Sequence, residues 1–250
     1  LNKEDIRTLA PENILQETNL DVGDIDILDG SPPCASFSMS GQRQKGWNEI
    51  RSYSDTKQYV DDLFFEFLRI ADGLQPKVII GENVKGLVTG KAKGYFKLIL
   101  QEFKNIGYNV KAKVLKADRL GVPTMRERLI FVATRNDLNI DPVFPKPKKY
   151  KRIVADAYVD GIQGEHQKVH NFAKMLWARA VKENNSSLAA ISKKYYGKDR
   201  YFSHRIVFPN KSCNTLTTKP SHYHHKYPRT LTIPEIKAIS SFPTDFKLTG

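Results

Sequence analysis

Residues 25–34 read IDILDGSPPC, and the fold turns on them. Ile25–Asp29 is a short apolar run, too brief for a helix, bounded by the turn signal Gly30-Ser31-Pro32-Pro33. It is expected to be a buried strand that stops abruptly. The two prolines restrict φ, so Cys34 leaves the strand end on a constrained backbone. Downstream, Tyr59 to Leu74 has helical apolar spacing at Leu63, Phe64, Phe67, Leu68 and Ala71. Val78–Ile80 is the next strand candidate, and Tyr95 to Ile106 a second helix stopped by Gly107. Val110–Leu115 and Leu129–Thr134 read as two more strands, joined by a turn near Gly121-Val122-Pro123. This alternation predicts an α/β sheet of the doubly wound type, closed by an antiparallel pair. Ligands bind such sheets beyond the carboxyl ends of the strands. Ser31 to Cys34 should follow one strand and Glu82-Asn83-Val84 another, which puts a cysteine and a carboxylate on one rim.

The 250 residues carry 40% hydrophobic and 27% charged side chains, the balance of a globular chain rather than a disordered one. No apolar run approaches the ~20 residues of a membrane span, and no basic start leads into an apolar stretch. Two cysteines make no disulfide framework, so a reducing, cytoplasmic compartment is expected. The net charge is +13, and residues 136–228 hold 17 Lys/Arg against 7 Asp/Glu, so this segment carries most of the surplus. It also holds all six histidines. A basic, aromatic-rich lobe beside a near-neutral one suits a polyanion, although a solvated basic surface would look the same. The Pro/Lys-rich stretch Asp141–Lys151 marks the boundary. Beyond it, a helix from about Val169 to Lys182, β-prone pieces between Tyr201 and Thr218, and a short helix opened by Ile233-Pro234-Glu235 are expected. His222, His224 and His225 with Cys213 match no zinc spacing, so no metal is expected.

Alone, a cysteine at a Pro-Pro turn favours a small buried residue over a nucleophile. Its surroundings alter that. The run Gly30 to Gly41 (GSPPCASFSMSG) resembles the Pro-Cys motif and mobile loop of the cytosine-C5 DNA methyltransferases of bacteria and phages. Glu82-Asn83-Val84 resembles their Glu-Asn-Val motif, and Arg126-Glu127-Arg128 their Arg-x-Arg motif. Thr215-Leu216 resembles the Thr-Leu pair of the recognition domain. Arg229-Thr230-Leu231-Thr232, with Glu235 and Phe242-Pro243 beyond, resembles the signature that follows it. Asp5-Ile6-Arg7 is similar to the segment touching the cofactor's adenine. The motifs occur in the family's order over nearly the whole chain.

The resemblance implies a Rossmann-like sheet dependent on S-adenosylmethionine, with a smaller, basic target-recognition lobe. Residues 1–135 would be the catalytic domain without its N-terminal part, 136–228 the recognition domain, and 229–250 a return to the catalytic domain. Cys34 would be the nucleophile that adds to cytosine carbon 6. Glu82 would meet ring N3 and the 4-amino group, and, because a carboxyl that donates must be protonated, it is expected to be buried. Arg128 would hold O2, with Arg126 helping to position the pocket. Asp5, Ile6, Pro33 and Leu63 match cofactor contacts. Ser38, Ser40, Asn83, Arg128 and Thr215 match substrate contacts, and residues 38–56 a loop closing over DNA. The target base would be flipped out of the duplex. The implied partners are double-stranded DNA and a restriction endonuclease system, with the protein a nucleoid-associated monomer.

Some features depart from the family pattern. Ala35 and Thr124 stand where glutamine is usual, and the loop before Leu63 is longer. The glycine-rich cofactor loop upstream of Asp5 and the Gly-Asn pair after Phe242-Pro243 are not in these residues; a longer protein is expected, with a second chain that completes the enzyme, or loss of the motifs, as the alternatives. An RNA cytosine methyltransferase on the same fold, or a non-catalytic DNA-binding relative, are the alternatives.

Overall fold

The computed structural model describes residues 4–33, 51–53, 56–58, 63–89, 92–156, 164–217 and 221–247. The chain forms two compact units, residues 1–115 with 127–145, and residues 116–126 with 146–250.

In the first unit, α1 (Pro11–Thr18) precedes β1 (Ile27–Gly30), then a hairpin of β2 (Arg51–Tyr53) and β3 (Thr56–Gln58). The expected loop over 38–56 therefore includes a strand, because residues 51–53 find antiparallel partners in 56–58. Next come α2 (Leu63–Leu74), β4 (Val78–Val84), α3 (Lys93–Asn105), β5 (Tyr108–Lys116) and β6 (Glu127–Arg135). The sheet is mixed, with order β1-β4-β6-β5. β4 lies parallel to β1 and antiparallel to β6.

One sequence expectation needs correcting. Glu82, Asn83 and Val84 do not follow the second strand; they are its last three residues. Pairing with β6 continues through Glu82↔Ile130 and Asn83↔Leu129 to Val84↔Arg128, and that ladder holds polar residues in extended form despite their weak strand propensity.

The helices bury the sheet with aromatic rings. Phe64 and Phe67 of α2, Phe103 of α3 and Phe131 of β6 are all buried. Phe64 lies 5.2 Å from Phe131 between ring centroids, and Phe103 stacks on Phe131 at 5.8 Å. This approach requires glycine in the strand: a Cβ on Gly30 would sit 2.5 Å from the Phe67 ring. Gly73 of α2 faces the Pro11 ring of α1 in the same way, and a Cβ there would fall 2.4 Å from Pro11 Cγ. The proline ring is tied to its own backbone and cannot swing away. Gly73→Ala should therefore destabilise the protein by about 1–3 kcal/mol by urea unfolding, although alanine is the better helix former by ~1 kcal/mol. An unchanged or raised midpoint would show that α1 moves freely.

The second unit holds α4 (Asn171–Lys182), α5 (Leu188–Tyr196), the parallel pair β7 (Arg205–Val207) and β8 (His222–His224), and α6 (Ile233–Ser240). Leu176, Ala180, Leu188, Ile191, Ile206 and Tyr223 make one buried cluster. Val154, Val207, Cys213, Leu231 and Ile239 make another. The 116–126 segment joins this unit through Cys213, whose N–H donates to Pro123 O at 2.8 Å and whose carbonyl accepts from Met125 N at 2.7 Å. Helix α5 was not expected. Its ends are capped, with Ser187 Oγ accepting from Ala190 N and Gly197 ending it at φ +67°.

The Arg-Thr-Leu-Thr-x-x-Glu run has a clear structural use here. Thr232 caps α6 by accepting from Glu235 N, and Glu235 accepts from Thr232 N in return. Arg229 grips the same carboxylate with two bonds of 2.8 Å. Glu235 is fully buried. Burial alone would push its carboxyl up, but the bonds from Arg229 and Thr232 outweigh that and hold it below the usual carboxylate range. Among the described residues, no helix is long and apolar enough to cross a membrane.

Candidate active site at the carboxyl edge of the sheet

The register of three strands assembles the site. Gly30 of β1 pairs with Gly81 of β4, so the next residues, Ser31 and Glu82, leave the pair side by side. Ser31 Oγ donates to Glu82 Oε2 at 2.6 Å. Because β6 runs opposite to β4, its first residues lie at the carboxyl end of β4. Arg128 Nε there meets Glu82 Oε1 at 2.5 Å. Each carboxylate oxygen of Glu82 thus has its own donor.

Asn83 has a different task. It points to the buried face, with 2% of its surface exposed. Its amide donates to Pro32 O at 3.2 Å, and its side-chain oxygen accepts from Val84 N at 2.8 Å. This amide clamp ties the Pro32-Pro33 turn to the end of β4. Beside it, Lys85, just past the end of β4, pairs with Glu127 of β6 at 2.8 Å.

The expected burial of Glu82 is not found: its side chain is 30% exposed, and that of Arg128 25%. The ion pair sits at the strand ends, where the sheet stops shielding one side. A carboxylate and a guanidinium held together on an open rim can accept from one edge of a planar amide-like ring and donate to another.

The structure brings together Glu82, Asn83 and Arg128, with exposed Pro33 next along the chain from the clamped turn. Cys34, Ser38 and Ser40 lie outside the described residues. Arg126 is exposed and belongs to the second unit, where its carbonyl accepts from Ala117 N at 3.0 Å. Thr215 is half-buried in that unit, next to Leu216, which packs on the Val154 and Leu231 cluster. The other cysteine, Cys213, is buried, and burial pushes its thiol up to about 12, so it is no nucleophile near neutral pH. Among the described residues, no group of three or more histidine, cysteine or carboxylate side chains is arranged to hold a metal.

The positions expected to meet a cofactor lie near α2. Asp5 accepts from its neighbour Arg7 N at 3.0 Å and remains 35% exposed at its side chain. Ile6 packs on the aromatic core, and Arg69 of α2 donates to the carbonyls of Ile6 and Leu9 at 2.7 and 3.0 Å. Leu63 is half-buried at the start of the same helix. Both oxygens of Asp5 accept from Arg7, and their remaining lone pairs on a half-open carboxylate fit one edge of an adenine: they can accept from the 6-amino group while the aliphatic groups of Ile6 and Leu63 suit the ring.

Ser31 escaped the sequence reading as a site residue. Its proximity to Glu82, 51 positions away, depends on the β1/β4 register, which no local pattern encodes.

A family model described as C-5 cytosine-specific DNA methylase matches residues 1–250. Type II methyltransferase M1.HphI of Haemophilus parahaemolyticus is 30% identical over 99% of this chain and 67% of its own length. Type II methyltransferase M.FnuDI of Fusobacterium nucleatum is 36% identical over 60% of this chain and 40% of its own length. The chain thus corresponds to only part of these relatives. In fold it is similar to a crystal structure described as a DNA modification methyltransferase encoded within an E. coli prophage. The TM-score is 0.63 at 22% identity, covering 97% of this chain and 75% of that one.

Proposed function

The chain belongs to the C-5 cytosine-specific DNA methylase family, and on that premise we propose that the protein methylates carbon 5 of cytosine in duplex DNA with Cys34 as nucleophile. One observation carries the assignment of groups. Ser31, Glu82 and Arg128 form a hydrogen-bonded row on the rim where the clamped Pro32-Pro33 turn leads into Cys34.

Carbon 5 of cytosine is a poor nucleophile. A bond from the Cys34 thiolate to carbon 6 turns the ring into an enamine, whose carbon 5 takes the methyl group. Loss of the carbon 5 proton and cleavage of the carbon 6–sulfur bond then restore the aromatic ring and the thiolate. S-adenosylmethionine, when bound, supplies the electrophilic methyl on a sulfonium. Asp5, Ile6, Pro33 and Leu63 are the residues assigned to hold it.

Negative charge grows on the ring as the thiolate adds. Arg128 answers it by donating to O2. Glu82 accepts from the 4-amino group and, after taking a proton from solvent, donates it to N3; the proton leaves N3 again when the ring is restored. In the free protein the two groups hold each other, and Ser31 fixes the second oxygen of Glu82. They are oriented before the base arrives, which lowers the ordering cost of binding. The base must leave the helical stack to reach them.

The 136–228 segment serves as the recognition domain, with its surplus of cations setting affinity and salt dependence. Thr215 belongs to its substrate-contacting part. Ser38, Ser40 and Arg126 serve as further contacts to DNA or the pocket. The protein acts as a monomer on the cytoplasmic chromosome, alongside a restriction endonuclease.

Duplex DNA carrying 5-fluorocytosine tests the reading, because fluorine blocks the final elimination. A covalent adduct mapping to Cys34 is expected when S-adenosylmethionine is present. Cys34→Ser should form no adduct and lose about 10³-fold or more in methyl transfer while still binding DNA. A Cys34→Ser protein that still methylates would refute the nucleophile.

A further inference from the structure

We propose that the second unit contains a phosphate-binding pocket, centred on Lys168 and Lys174, that grips a phosphodiester of the DNA backbone in addition to the contacts of the reacting base; the proposal rests on the DNA reading above. The pocket is an open hollow of about 680 Å³ lined by His166, Lys168, Asn171, Lys174, Tyr227 and Arg229, among others.

Its frame is well held. Residues 167–169 pair with 228–230: Val169 N donates to Pro228 O at 3.2 Å, Thr230 N to Gln167 O at 2.9 Å, and Gln167 N to Thr230 Oγ1 at 2.9 Å. Gly164 lies so near the cap of α6 that a Cβ on it would sit 3.1 Å from Thr232 Cβ. Arg229 at the pocket wall is tied to buried Glu235.

The charges in the pocket are one-sided. Among the described residues, no carboxylate lines it. The charge of Arg229 is answered by Glu235, but among the described residues neither Lys168 nor Lys174 has a carboxylate partner. Both lysines are exposed, so they keep their hydration until an anion arrives. The first turn of α4, which contributes Asn171, contains no acidic side chain. An ammonium group is a point charge that accepts a phosphate from many directions. A lysine can donate to guanine O6 and N7, but two exposed ammonium groups without a carboxylate partner suit the spread charge of a phosphate better than one base edge. The chemistry is therefore that of a backbone contact, which positions DNA without reading it.

The double variant Lys168→Gln/Lys174→Gln tests this with a labelled duplex of mixed sequence. The slope of log affinity against log salt should become shallower by about two, and binding should weaken about tenfold or more near physiological salt. Asn171→Asp separates a ligand role from a structural one. An acid in the first turn favours the helix and should raise Tm, yet the same carboxylate repels phosphate and should weaken DNA binding. Unchanged affinity and salt slope in the double variant would overturn the proposal. So would a rise in Tm with inorganic phosphate that the double variant abolishes while its DNA slope stays unchanged, because the pocket would then serve a small phosphate-bearing molecule. Failure of the parent protein to bind or methylate DNA would instead count against the family reading, and the two failures are told apart by the parent alone.

Discussion

Glu82→Gln is expected to lower methyl transfer by about two to four orders of magnitude while changing duplex affinity only slightly. Glutamine keeps the length of the side chain and one acceptor oxygen. It cannot hold a proton for N3, and it loses the charged contact that Arg128 makes at 2.5 Å. Only the charge developing on the ring needs that carboxyl, so the loss should appear in the chemical step rather than in binding. Folding should be little affected. Both partners of the ion pair are about a quarter or more exposed, so water can serve Arg128 in the variant. Single-turnover transfer of a labelled methyl group, with DNA affinity measured beside it, checks the expectation. Turnover within tenfold of the parent would remove Glu82 from the mechanism and leave it a partner that positions Arg128.

The second large effect concerns acid. The second unit should lose stability as pH falls from about 6.5 to about 4, because His222 must be neutral in the folded state. His222 is 5% exposed in β8. Burial pushes its imidazole down from 6.5 to about 4, and the charge of Arg205 pushes the same way, as does His204. A backbone contact from Asn214 opposes them, but less than burial and Arg205 act. Between those pH values the unfolded chain binds a proton that the folded chain refuses, so stability rises with pH through the window and falls with acid. The full displacement corresponds to ~3 kcal/mol. Glu235 acts below this window: its carboxyl is held under the usual range, so its contribution is present above about pH 4.3 and fades only in stronger acid.

Trp177 offers a local reporter, since its indole donates to His224 O at 2.8 Å. In a Trp47→Phe background, urea unfolding followed by Trp177 fluorescence should show the midpoint dropping between pH 7 and pH 4.5. His222→Gln should flatten that drop, whatever it does to stability at neutral pH. An equally steep drop in the variant would move the proton uptake to another group.

Local patterns carried much of the reading. The apolar spacing at Leu63, Phe64, Phe67 and Leu68 marked α2, and the apolar run before Gly30 marked β1, since period and turn chemistry are written in neighbouring residues. Helix α5 was missed because its Lys193-Lys194-Tyr195-Tyr196 end blurs the apolar stripe; the Ser187 and Gly197 caps were the available signal. The extension of β4 through Glu82 was missed because polar residues at a strand end look like a loop until the partner strand is known.

By itself, then, the sequence determined the main strands and helices of the sheet, the cationic surplus of residues 136–228 and the ordered motifs that identify the family. Tertiary structure decided which of those residues meet. The β1/β4 register set Ser31 beside Glu82, and the antiparallel turn of β6 brought Arg128 to the same carboxylate. It also buried Glu235 under Arg229 and left Lys168 and Lys174 at a pocket that, among the described residues, no carboxylate lines. The physical reason is range. Periodicity and caps act over a few residues, whereas register and burial arise when segments far apart in the chain compete for the same core.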